Sequence, residues 1–123
     1  MKKIVLKFLQ TQAQMRILHW QTTSYAEHNA FGGFYDATGD IIDKIVEAIQ
    51  GKYGRITLGG IDSIQVSDYS NLKLNMFLMD LEAFLISEVY TCGIDKEKDS
   101  EIENILQEFR AELDKLKYLL TLK

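Results

Sequence analysis

Lys3, Lys7, Gln10, Gln14 and Gln21 step along one face of the first segment at intervals of four, three, four and seven, while Val5, Phe8, Met15 and His19 keep a similar beat on another. The pattern predicts an amphipathic helix over roughly residues 2 to 20, with His19 continuing a mainly apolar stripe at or near a buried seam. Ser24 is placed to cap a second helix that runs to Gly51 or Gly54, where glycine is the natural stop. From 55 to 69 the helical period is lost, and β-branched residues alternate around Gly59 and Gly60. That stretch reads as a connection, with a small hairpin as an option. A third helix is expected from about Ser70 to Cys92, apolar over much of its circumference, so that a bundle core covers one side and a partner subunit the other. The fourth opens on Ser100 and Glu103, a capping-box spacing, and carries Ile102, Ile105, Leu106, Phe109, Leu113, Leu116 and Leu120.

Only the second-to-third connection is long. Its fifteen or so residues can stretch to about 50 Å, against about 40 Å for a 27-residue helix, so it can traverse the bundle. The expected architecture is all-α, a ferritin-like four-helix bundle with a long crossover between helices two and three, in a single domain over 1–123. Composition agrees: the chain has no proline, 46% apolar residues and 26% charged ones.

Fourteen basic residues against eighteen acidic ones give a net charge of −4, which disfavours nucleic acid and acidic membranes as partners. The most apolar run, MFLMDLEAFLI, is broken by Asp80 and Glu82 and falls well short of the ~20 residues that span a bilayer. Lys7 and Gln10 cut the opening apolar stretch too short for a signal peptide. The lone Cys92 has no partner within the chain for a disulfide, which suits a reducing, cytoplasmic setting, with the thiol as a small buried hydrophobe.

Candidate chemistry gathers in residues 18–47. With His28 at zero on a helical wheel, Asp43 falls near 60°, Asp36 near 80°, Glu47 near 100° and Asp40 near 120°. Gly32 and Gly39 lie inside the same arc and cost roughly 1 kcal/mol each against alanine, a cost that close approach of another helix backbone would offset. Asp43 and Glu47 are one turn apart and can share a cation, and imidazole with carboxylate suits iron, manganese or zinc. His28 and Asp43, however, are about 22 Å apart along one helix. Two copies packed antiparallel across a two-fold axis would bring His28 of one to Asp43 and Glu47 of the other, with His19 joining His28. The plainer alternative is a solvated acidic face beside hydrogen-bonded core or interface histidines, with His19 near Trp20. The chain has no Glu-x-x-His, so the di-iron site of a single ferritin bundle is excluded. No CxxC or phosphate-binding glycine loop is present.

His19-Trp20, His28 followed by a helix, and the DKIVE of 43–47 resemble the ferroxidase stretch of the Dps-like mini-ferritins, over residues 16 to 51. HWQTTSYAEH, QGKYGR and LKYLLTL are also similar to short Dps-like proteins of tailed phages. The resemblance implies iron as the bound metal and Fe(II) oxidation as the activity. It implies His19 and His28 as one half-site and Asp43 and Glu47 of a second subunit as the other. Gly32 stands where the family has an acidic ligand, and Asp36 is the acid one turn further on. The expected partner is another copy of the chain, as a two-fold dimer at least, with a dodecamer as one option, in the cytoplasm or, for a viral protein, the host cytoplasm. The alternative function is a metal-free structural or interaction bundle.

Overall fold

Helix α1 (Lys2–Gln21) turns back through three residues into α2 (Tyr25–Tyr53); α3 (Leu74–Ile86) and α4 (Ser100–Leu120) follow a long non-helical link. These elements come from a computed structural model that describes residues 1–122. Among the described residues there is no strand, and the chain forms the expected all-α, four-helix arrangement. No described helix is long and apolar enough to cross a membrane.

The helix ends follow from local chemistry. Ser24 caps α2 by accepting the Glu27 N–H at 3.2 Å, while Thr22 Oγ1 accepts the Ser24 N–H and donates to the Glu27 carboxylate at 2.6 Å. Gly54, with φ at +96°, ends α2 in a conformation that glycine alone adopts without strain. Helix α3 is shorter than its sequence pattern, which ran from 70 to 92. Leu72 and Lys73 are extended, and beyond Ser87 the chain tightens into a 3-10 turn, Glu88–Cys92. Val89 stays buried there and so continues the apolar rhythm after the α-helix has ended. Asp99, not Ser100, is the N-cap of α4, and Glu103 forms no capping box. Its carboxylate instead takes the Tyr90 hydroxyl and pairs with Arg110 at 3.3 Å.

Helix α2 packs between α1 and α4. At the centre each helix contributes one phenylalanine. Phe8 stacks on Phe109 at 5.3 Å and meets Phe84 edge-on at 6.0 Å, and Phe34 meets Phe109 edge-on at 6.0 Å. Leucine and isoleucine side chains from all four helices complete this buried core.

The stretch is a connection, as expected, and the small hairpin given as an option does not form. The extended link lies along the glutamine stripe of α1 instead. Lys2 pairs with Asp62 at 3.2 Å, and Gln10 donates to the Gln65 carbonyl at 3.2 Å. Gln14 both donates to and accepts from the Ser67 backbone at 2.9 Å, and Gln21 accepts the Tyr69 N–H at 2.7 Å. Between α1, the link and α3 lies an open cleft of ≈ 330 Å³. Cys92 lines it and is half-buried rather than enclosed.

Candidate metal-binding site

The short turn between α1 and α2 sets the last turn of one helix against the first turn of the other, and each contributes a histidine. The rings of His19 and His28 stack with centroids 3.8 Å apart and planes 17° from parallel. Nδ1 of His19 meets the His28 carbonyl at 2.6 Å, and Nδ1 of His28 meets the His19 carbonyl at 2.9 Å. A carbonyl oxygen only accepts, so both Nδ1 atoms carry hydrogen. In each neutral ring Nε2 is then the atom with a lone pair, available to a metal. Fixing one ring nitrogen on a backbone carbonyl is how proteins orient metal-binding imidazoles. The bond from His28 also satisfies one of the orphan carbonyls that end α1.

Gly32 is the seat of this pair. A Cβ built there would lie 2.9 Å from His19 Cε1, closer than real Cβ contacts come, and 3.0 Å from Nδ1, tighter than most. The close approach expected at this glycine is therefore made by an imidazole from α1, not by a helix backbone. A side chain at 32, acidic or otherwise, would displace the ring. At Gly39 the same construction meets only Gln12 Oε1 at an ordinary 3.8 Å, so space does not demand glycine there.

The stack continues in both directions. Tyr25 lies over His28 at 6.3 Å, Tyr35 meets His19 edge-on at 5.4 Å, and the Arg16 guanidinium sits 4.5 Å over the Tyr35 ring. The partner stacked on His19 is His28, while neighbouring Trp20 is 67% exposed.

Asp36, Asp40, Asp43 and Glu47 are all exposed on α2. Because α2 is continuous over 29 residues, His28 and Asp43 keep the separation of about 22 Å expected from the helical rise. Within one copy of the chain the histidines come together and the acids do not join them. Among the described residues no group of three or more His, Cys, Asp or Glu side chains is placed to hold one ion.

Two features at this end of the bundle escaped the sequence reading. Glu27 is buried and accepts from the Tyr69 hydroxyl at 3.0 and 3.1 Å, tying the far end of the link to the start of α2. Burial, and then Glu27, push the Tyr69 hydroxyl up to about 12. The signal for Glu27 was present in the Ser24-x-x-Glu27 spacing. The aromatic ladder had a fainter one, since Tyr25 and His28 lie three apart on a helix.

Fold and site together define a small all-helical bundle with a stacked histidine pair at its first turn and an acidic face along its second helix. By sequence, the chain belongs to the DUF5856 family, a family of unknown function whose match spans residues 19–120 and so takes in both histidines and the whole acidic run. No curated protein and no solved structure matches it.

Proposed function

We propose that the protein is a Dps-like iron-binding bundle that takes up Fe(II) between two copies of the chain and passes its electrons to dioxygen or peroxide. One observation carries the reading: His19 and His28 each spend Nδ1 on the other's carbonyl and so keep Nε2 for a ligand. Two imidazoles alone make an incomplete iron site, and carboxylates are the ligands that suit them. Asp43 and Glu47, exposed one turn apart on α2, supply those ligands once a second copy lies antiparallel, with Asp36 beside them. Exposed acids nearby would then collect Fe(III). The link supports the ferritin-like crossover. Residues 62, 65, 67 and 69 meet α1 residues 2, 10, 14 and 21 in the same order, so the link travels with α1 and starts α3 beside the beginning of α2. The setting is a reducing cytoplasm in which Cys92 stays a thiol.

Mixed-subunit assays test this. His19→Ala/His28→Ala protein and Asp43→Ala/Glu47→Ala protein should each fail to raise ferric absorbance in aerated Fe(II). Refolded together, they should recover close to half the sites of wild type in the mixed dimers, because one boundary there is intact. Oxidation no faster than buffer in wild type, with well under one iron per dimer, would remove the reading.

A second reading has its own observation. The reciprocal carbonyl bonds and the fit of His19 over Gly32 also describe a latch between α1 and α2 that needs no metal. In that case the chain is a structural or interaction bundle, and iron leaves its melting temperature unmoved.

A further inference from the structure

Helix α3 has two apolar faces. On a wheel with Met76 at zero, the buried Leu78, Leu81, Phe84 and Leu85 fall between about 80° and 200°, while Met76, Met79, Ala83 and Ile86 fall between about 280° and 360°. The second arc is bare: Met76 is 63% exposed, Met79 68% and Ile86 52%, and Ala83 is exposed too. Its residues are spaced three, four and three, the a/d rhythm of a two-helix seam. Asp80 and Glu82 border it, one on each side. Asp80 is paired with Lys7 of α1 at 2.5 Å, and Glu82 with Lys117 of α4.

We infer that this face docks a second copy of the chain, the two α3 helices lying antiparallel across a two-fold axis. The three-four-three spacing reads the same from either end. An antiparallel copy therefore sets Met79 against the partner's Ala83 and Met76 against the partner's Ile86, a long side chain opposite a small one at the centre. The charges select the same occupant. Both bordering carboxylates already hold a lysine from their own chain, so the two-fold brings ion pairs face to face rather than bare like charges. A strongly basic or acidic partner would meet no net field along this seam. Side chains exposed to that degree make a bare patch of roughly a few hundred Å², about the largest that monomers leave open. Doubled across the axis it falls below the roughly 1,200 Å² of stable interfaces, so the pairing is reversible. It uses α3, not the acidic face of α2, and stands apart from the iron reading.

Site-directed disulfide trapping in a Cys92→Ser background tests the geometry. Met79→Cys and Ala83→Cys proteins, mixed and oxidised, should give the mixed 79–83 dimer at least tenfold above either self-dimer. Met79→Glu, which alters an exposed position and should keep the helical circular dichroism, should weaken self-association at least tenfold by sedimentation equilibrium. The trapping should persist in His19→Ala/His28→Ala protein whether or not iron binds. Self-dimers in equal or greater yield, or a self-association unchanged by Met79→Glu, would overturn the inference.

Discussion

An imidazole standing where a Cβ would go makes position 32 behave unlike its neighbour. At Gly33 an added Cβ meets nothing within 4 Å, so Gly33→Ala should stabilise the protein by roughly 0.5–1 kcal/mol through backbone entropy. Gly32→Ala gains the same propensity but has to push the His19 ring away from its hydrogen bond to the His28 carbonyl, worth about 0.5–1.5 kcal/mol, and from its stack on His28. The expected net result is a loss of about 0.5–1 kcal/mol, with urea midpoints for the two variants moving in opposite directions. The sequence showed that Gly32 lay in the polar arc and needed compensation. It could not show from where, because a wheel drawn for one helix contains no neighbour, and the compensating ring belongs to α1.

At the level of elements, the least regular one is held by the most regular. The link has no ladder of its own and takes its backbone partners from glutamine amides spaced along α1. Gln14 is buried and supplies both a donor and an acceptor to Ser67. Gln14→Ala should cost about 1–2 kcal/mol and, more specifically, speed amide exchange at Ser67 and proteolysis within 62–68. Gln14→Glu keeps only the acceptor and should fall between wild type and alanine. The recurrence of those glutamines was visible as a polar stripe, and the positions of α1, α2 and α4 were legible because long periodic segments bury one face. Their role was not legible, since an irregular segment paired to side chains leaves no period of its own. The ends of α3 were misread for a related reason. Val89 is buried from a 3-10 turn as it would have been from a helix, and burial pattern alone does not separate the two.

Across the whole molecule, the end opposite the histidines is closed by one buried carboxylate. Asp99 accepts the Asp95 N–H at 2.9 Å, pairs with Lys52 at 2.8 Å and takes the Tyr53 hydroxyl, and these contacts, the backbone one foremost, hold it down to about 2. An unfolded aspartate titrates near 3.9. Between those values the folded state binds fewer protons than the unfolded one. The stability Asp99 contributes is therefore whole above about pH 4 and lost as pH falls through about 2. Melting temperatures of wild type and Asp99→Asn should differ most above pH 4 and converge toward pH 2.

The four phenylalanines bear on how the chain comes apart. Since every helix owns a quarter of the same aromatic centre, no hairpin cut from this protein inherits a finished interior, and peeling away one rod exposes rings belonging to the other three. Melting followed by fluorescence, by dichroism and by heat uptake should accordingly trace a single superimposable curve.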